Sequence, residues 1–544
     1  MRAAGAGIAP WLGRAEAVVA AGVTAATAAL YVVAMRRGGG LWRDEVNTVN
    51  VATAPTLREM WAGLDEATIP VLWPLVLRGW ASLGPGATDE SYRVLGLLVG
   101  LALLAALWWH ARVVGAPWPS LSVVLVAASP VMIRWATSAR AYGLGAVLVV
   151  VASGLFWRTI QRPSPGRVAG TALAAVLAAH ALFSNWAIVG ALLAGAAAAG
   201  LVRRDRRVVA AAAVVGALAL VSVLPYVPVF RARAAWVAVT QMPVALEDVV
   251  GRFGRTLVLA GLPGATAGLV VAGVALAGCA LPLARWLPRP PGEREALAAY
   301  TATTVVAGSA GTLSFLVAGG HVPVPWHFVS LLALVAPALD TGIGLMIAGR
   351  PLRAAVRGAV TVLLAAVLVG PAWAAAGTRH TSVDLVARAL AASAAPGDLV
   401  VLTPWWLGTS FARYASPATR WTTMPEIPPG PAYRYDRLKE HLVAPATAGT
   451  PVLARVADTL RAGGRVWVVG VIPGEPPAEA LRPPPPAPSG RWGWLESPYL
   501  DFWAAQLAAE TSRRAGIVRR VALPRPGPVN VYEDPPVAVA EGWR

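Results

Sequence analysis

Residues 17–35 read AVVAAGVTAATAALYVVAM, 19 positions without a charge. At about 1.5 Å of rise per residue, such a run is long enough to cross a hydrocarbon layer roughly 30 Å thick. It is too long for the core of a secretory leader and no convincing cleavage site follows, so it reads as a retained helix anchoring the N-terminus. Further runs of this kind begin near Val94, Trp118, Tyr142, Val168, Trp186, Val208, Leu257, Ala296, Phe328 and Ala354. Together they predict about eleven spans, within a range of about ten to twelve. The whole chain has the same character: of 544 residues, 56% are hydrophobic and 14% charged, where soluble domains carry roughly a quarter charged. That excludes an ordinary soluble globule. The expected fold class is a mainly α, polytopic membrane protein.

Lys plus Arg number 46 against 28 Asp plus Glu, a formal charge of +18. These basic residues are scattered through short loops instead of forming one stripe, which argues against a nucleic-acid partner and leaves the lipid bilayer as the expected surroundings. Arg158, Arg162 and Arg167, then Arg203, Arg204, Arg206 and Arg207, then Arg285, Arg289 and Arg294, then Arg350, Arg353 and Arg357 fall in every second loop. Arginine accumulates on the cytoplasmic side, so an odd number of spans with an inside N-terminus is expected. The loop 36–93, the turn 134–140, the loop 231–255, the turn 321–327 and everything after Ala376 then face outward. Within the first outer loop, Ile69–Leu83 is too short and too interrupted by Pro70, Pro74 and Arg78 to span, and reads as an interfacial helix. The single cysteine, Cys279, lies in an apolar block and reads as a small buried hydrophobe.

After Ala376 the composition changes and no spanning run remains. Residues 1–376 are therefore expected to form the transmembrane domain, and 377–544 a water-exposed, extracytoplasmic α/β domain. DLVVLT (Asp398–Thr403) and RVWVVGV (Arg465–Val471) read as short buried strands, with Val383–Ala392 and Val452–Ala462 as amphipathic helices. Pro473–Pro488 reads as a stiff linker. Trp405, Trp406, Trp492 and Trp494 have two readings, sugar or membrane contact on one side and core packing on the other.

The densest polar constellation is LWRDEVNTVN, Leu41–Asn50. Asp44 and Glu45 are adjacent carboxylates just beyond the first span, flanked by Trp42 and Arg43. Either they carry chemistry at the membrane surface, or Asp44 caps a helix starting at Glu45 while Trp42 anchors at the interface. A second group, SPVMIRWATSARAYGL (Ser129–Leu144), places Arg134, Arg140 and Tyr142 at the same expected face. Arginine there can hold a lipid phosphate with its rigid fork of donors, or snorkel to headgroups. Arg93, Arg252 and Arg255 carry the same two readings. Asp340 is an acid well inside a span, where helix packing is the expected role. His180, His321 and His327 give no metal signature. Neither a nucleotide-type glycine loop nor a zinc-protease motif is present.

The order of these elements resembles that of the polytopic glycosyltransferases of the GT-C class. More specifically it resembles the glycosyltransferase family 39 group, which includes protein O-mannosyltransferases and lipid A aminoarabinose transferases. The residues carrying the resemblance are Trp42-Arg43-Asp44-Glu45, Ile69-Pro70-Val71-Leu72, Arg93-Val94-Leu95, Ser129-Pro130 and Ala139-Arg140-Ala141-Tyr142. The chain departs from the family pattern at Thr68-Ile69-Pro70, often His-Pro-Pro, and at His327-Phe328, often Arg-Tyr. The resemblance implies a polyprenyl-phosphate sugar donor at the outer leaflet and a glycan, lipid or protein acceptor. Asp44 would serve as general base with Glu45 in support, while Arg93, Arg140 and Tyr142 would bind the donor phosphate, in one inverting displacement. It implies no certain cofactor; a divalent cation held by Asp44 and Glu45 is left open. The competing readings are a transporter or flippase of a lipid-linked solute and a non-catalytic envelope-assembly scaffold. Internal repeats, common in transporters, are not evident.

Overall fold

A computed structural model describes residues 5–64, 69–83, 86–116, 118–234, 245–259, 292–320, 323–347, 350–427, 430, 441–444, 446–486 and 496–544. Thr68, Cys279, Arg285, Arg289, His321, Trp492 and Trp494 lie outside these residues, as do the side chains of Arg255 and Arg350. The chain divides into two compact units, one of Met1–Arg36, Ile69–Val227 and Val244–Ala376, the other of Arg37–Thr68, Pro228–Pro243 and Gly377–Arg544.

The first unit is a helical bundle. Among the described residues, eight helices are long and apolar enough to cross a membrane: Trp11–Arg37, Asp89–Val114, Tyr142–Gln161, Asn185–Val202, Arg206–Arg231, Glu293–Gly319, Pro325–Leu345 and Pro351–Gly377. Each contains one of the expected runs, and the chain is a multi-pass membrane protein. Of the other three expected spans, the one near Val168 is the 17-residue helix Pro165–Ala181. The one near Trp118 is broken into Ser120–Ser122, a π-helical turn Val123–Ala127 and Pro130–Trp135. The run near Leu257 passes out of the described residues after 259. The interrupted stretch after Ile69 forms a ten-residue helix, Leu72–Ala81, whose Trp73 and Leu77 are buried and whose Trp73 indole donates to the Ala139 carbonyl at 3.0 Å.

A buried ionic group pins helices of this unit together. Arg357 Nε lies 2.9 Å from Glu16 and its Nη2 3.0 Å from Asp340. Asp340 also accepts the Ser122 amide at 2.8 Å and the Ser122 hydroxyl, while Arg357 donates to the Trp118 carbonyl. A lone charge among apolar helices is costly, and removing one partner of such a pair typically costs about 3–5 kcal/mol. Asp340 thus holds helices in register, and the short helix Ser120–Ser122, just before the π turn, presents the amides it accepts.

The second unit is built on a five-stranded sheet, β1 (Leu399–Leu402), β2 (Trp421–Thr423), β3 (Val466–Val469), β4 (Ala515–Val521) and β5 (Val537–Trp543), in the order β2-β1-β3-β5-β4. β1 runs parallel to β2 and β3, while β5 is antiparallel to β3 and β4. The alternation along each strand sends residues to two cores. Leu399, Val401, Val466 and Val468 meet Val452, Val456, Phe502 and Trp503 on one face. Val400, Leu402, Trp467 and Val469 meet Val386, Leu390, Leu407 and Phe411 on the other. Strands covered on both faces read as unbroken apolar runs, which is why β1 and β3 are recognisable in sequence. The expected α/β domain is therefore present. Its helices Val383–Ser393 and Thr450–Arg461 match the two expected ones, and Leu407–Tyr414 and Ser497–Arg514 complete the layers.

Two short helices from early in the chain, Arg43–Ala52 and Leu57–Ala62, belong to this second unit. The segment leading to them is tied to the sheet domain. The His380 amide donates to the Gly38 carbonyl at 2.8 Å, and the Leu41 amide donates to the Tyr414 hydroxyl at 2.6 Å. Gly40 permits the close approach, because a Cβ there would stand 2.9 Å from both the Asp384 Cβ and the Tyr414 hydroxyl.

Candidate active site

The two acids of the expected pair have separate environments. The helix begins at Arg43, with Trp42 in the N-cap position. This corrects the reading of Asp44 as the cap of a helix starting at Glu45. The start falls two residues earlier because Glu45, at the third helical position, turns back to accept the Trp42 amide at 3.2 Å and satisfies a donor the helix leaves open. The Glu45 side chain is 0% exposed and its Oε2 lies 3.5 Å from His380 Nδ1. The Asp44 carboxylate does not share that burial. Its side chain is 23% exposed, with Oδ1 3.6 Å from Arg43 Nε. Of the pair, Asp44 has the carboxylate that water or substrate can reach.

Arg43 links this helix to the rest of the unit. Its amide donates to Glu533 Oε1 at 2.9 Å, and its guanidinium carbon lies 4.6 Å from the centre of the Trp406 ring. Glu533 is buried and also accepts the Ser410 hydroxyl at 2.9 and 3.0 Å. Burial pushes its carboxyl up to about 7, against the opposing influence of the Arg43 guanidinium and of hydrogen bonds from Thr381, the Arg43 amide and Ser410. Burial likewise raises Glu496, which accepts the Trp405 indole N–H at 2.8 Å. Trp405 is part of the domain core, whereas Trp406 is half-buried beneath the Arg43 guanidinium. For Trp405 core packing is the role observed, and Trp406 makes a cation–π contact.

The expected phosphate-binding residues belong to the first unit. Arg93, 3% exposed, lies in the second turn of Asp89–Val114, a helix capped by the Thr88 hydroxyl. Arg140 and Tyr142, 6% and 7% exposed, lie where the segment after Pro130–Trp135 enters Tyr142–Gln161. The Arg140 guanidinium carbon is 5.6 Å from the Tyr142 ring centre, and that ring meets Trp135 edge to face at 6.4 Å. Gly96, one turn along from Arg93, packs so closely on the Thr137 carbonyl that a Cβ would overlap it. Gly143 does the same against the Ala136 carbonyl. The Gly96 contact brings the Arg93 helix against the segment carrying Arg140, and the Gly143 contact folds that segment onto the helix that follows it. Both arginines are buried on these packed elements. Guanidinium groups held this way can receive an oxyanion without a large reordering cost.

Other candidates have structural partners. His180 Nδ1 lies 2.9 Å from the Tyr226 hydroxyl, which accepts the Val71 amide at 2.9 Å and so anchors the Ile69-Pro70-Val71 segment. Arg134 lies over Trp135, Arg252 reaches the Pro323 carbonyl at 3.5 Å, and His327 accepts the Val324 amide at 3.4 Å. Among the described residues no group of three or more His, Cys, Asp or Glu side chains could hold a metal ion. The acid pair does not fit the divalent cation left open above, because Glu45 is buried against the Trp42 amide and His380 while Asp44 is partly exposed beside the Arg43 guanidinium. Sequence reasoning missed Glu533, Ser410 and His380. They stand hundreds of residues from Asp44, and the two acids in VNVYEDPPV, Glu533 and Asp534, carry no periodicity that marks either.

No known protein-family profile and no curated protein sequence matches the chain. Among solved structures it is similar to the crystal structure of ArnT from Cupriavidus metallidurans bound to undecaprenyl phosphate, at 14% identity and a TM-score of 0.48, covering 82% of this chain and 92% of that one. It is also similar to the Archaeoglobus fulgidus oligosaccharyltransferase. In the complex with zinc and sulfate the identity is 13% and the TM-score 0.47, over 82% of this chain and 67% of that one. Tethered through a disulfide to an acceptor peptide containing the NVT sequon, that enzyme matches at 11% identity and a TM-score of 0.45, over 93% and 73%. Both proteins are GT-C fold glycosyltransferases, the class that the motif order resembles.

Proposed function

We propose that the protein is a membrane glycosyltransferase that moves a sugar from a polyprenyl-phosphate donor to a hydroxyl acceptor at the outer face of the membrane. The observation that carries this reading is the division of the acid pair: Glu45 is fully buried and fixes the helix start, while Asp44 beside it keeps an accessible carboxylate. That is the arrangement a general base needs, one carboxylate reachable on a backbone that does not move. In the reaction the acceptor oxygen attacks the anomeric carbon, and its proton passes to Asp44. The bond from the anomeric carbon to the phosphate oxygen breaks, its electron pair leaves with the polyprenyl phosphate, and the new glycoside is inverted. Asp44 later returns the proton to water. The leaving phosphate is already a stable anion, so it requires no strong acid. Arg93 and Arg140 would compensate its charge and Tyr142 would donate a hydrogen bond.

Asp44→Asn tests the assignment. With tritiated undecaprenyl-phosphate hexoses and pentoses in native membranes, transfer is expected to fall about 10²–10⁴-fold, the usual contribution of a general base. Unchanged transfer would remove Asp44 from the mechanism. Absence of transfer from the wild-type protein with every donor would overturn the glycosyltransferase reading itself.

A further inference from the structure

We propose that Glu533 is a positioning residue for Asp44, acting by capping the N-terminus of the Arg43–Ala52 helix from the far end of the chain, with Ser410 and His380 supporting the same helix start. The inference rests on the general-base reading of Asp44 and extends it to residues nearly 500 positions away. A helix leaves its first amides without internal partners, and a residue placed among them is only as well fixed as those amides. Here the Trp42 amide is taken by Glu45 at 3.2 Å and the Arg43 amide by Glu533 at 2.9 Å. Asp44 is the next residue, so the backbone on its N-terminal side is fixed by a carboxylate from the sheet domain.

Glu533 is itself held in place. The Ser410 hydroxyl donates to its carboxylate, the Asn530 carbonyl accepts its amide at 3.0 Å, and its own carbonyl accepts the Ser382 amide at 2.9 Å. His380 completes the other side, with its ring against Glu45 and its amide on Gly38. A carboxylate at a helix N-terminus is also favoured by the helix dipole. A mobile cap would let Asp44 swing, and a displacement of about 1 Å in a reacting group can cost about 10²-fold in rate.

The test combines turnover with a direct measure of order at position 44. With tritiated undecaprenyl-phosphate sugars in membranes, Glu533→Ala is expected to lower kcat about 10²-fold with the donor KM unchanged, and Glu533→Gln, which keeps a carbonyl for the Arg43 amide, to restore most of it. Ser410→Ala, a milder loosening of the cap, is expected to lower kcat several-fold and serves if Glu533→Ala fails to fold. In an Asp44→Asn background, Glu533→Ala should cost nothing further, because positioning acts only through Asp44. A kcat for Glu533→Ala equal to wild type, or an equal loss with and without Asp44, would overturn the proposal. Separately, a nitroxide on Asp44→Cys in a Cys279→Ser background should be immobile with Glu533 present and mobile with Glu533→Ala. An unchanged spectrum overturns the positioning role even if no donor is turned over, so that failure is distinct from failure of the transferase reading.

Discussion

Glu45 and Glu533 are both removed from water, yet their surroundings ask different things of the carboxyl group. Glu533 faces the Arg43 amide, the Arg43 guanidinium and the hydroxyls of Ser410 and Thr381, and burial still lifts it from an ordinary 4.5 to about 7. Between those two values the folded protein holds a proton that the unfolded chain has released. The stability this group contributes is therefore complete below pH 4.5, declines as the pH rises, and is gone above about 7. The melting temperature of the purified protein is expected to fall across this window, and Glu533→Gln should flatten that part of the curve, since an amide does not titrate. Parallel wild-type and Glu533→Gln curves would contradict the assignment. At this scale the sequence marks where to look without distinguishing the neighbours. Asp44 and Glu45 are equivalent as letters, and what separates them is which one meets His380, a contact spanning more than 300 residues that local pattern does not encode.

At particular positions of the first unit a glycine permits close packing, and this yields a paired expectation. At Gly96 an added methyl would overlap the Thr137 carbonyl, whereas at Gly170, in Pro165–Ala181, nothing lies within 4 Å. Gly96→Ala should destabilise the bundle by about 1–3 kcal/mol, as overpacking does, and should disturb the segment carrying Arg140. Gly170→Ala should be neutral or gain up to about 1 kcal/mol of helix propensity. Thermal melts in detergent decide the matter, and equal shifts for the two would remove the packing argument. Long apolar helices and strands buried on both faces were legible in the sequence because their patterns are local: Asn185–Val202 and β1 are examples. β4 was not, because AGIVRRV at a sheet edge leaves its arginines exposed and shows too little apolar alternation. The break at Val123–Ala127 was also hidden, as was the anchoring of the residues just before it, Leu121 and Ser122, to the carboxylate of Asp340 more than 200 residues away.

For the whole molecule, the change of composition after Ala376 announces a separate domain, but it does not announce that Arg37–Thr68 joins the same compact unit. This has a consequence for orientation. Asp44 and the sheet domain belong to one unit, so whichever side of the membrane carries the sheet domain carries the proposed base as well. The expectation from the arginine-rich loops is that this side is the outer one, because loops bearing clusters such as Arg203–Arg207 resist translocation. Ala418 is exposed in the sheet domain and Arg206 is exposed at a helix start in the first unit, and the chain has a single native cysteine. In a Cys279→Ser background, Ala418→Cys should react with a membrane-impermeant maleimide in sealed right-side-out vesicles. Arg206→Cys should react only once the vesicles are opened. The reverse pattern would put Asp44 on the cytoplasmic side, away from a donor headgroup in the outer leaflet, and the proposed reaction would lose its base. Labelling of both sites in sealed vesicles would mean an even number of crossings between them, contrary to the alternation of the arginine clusters.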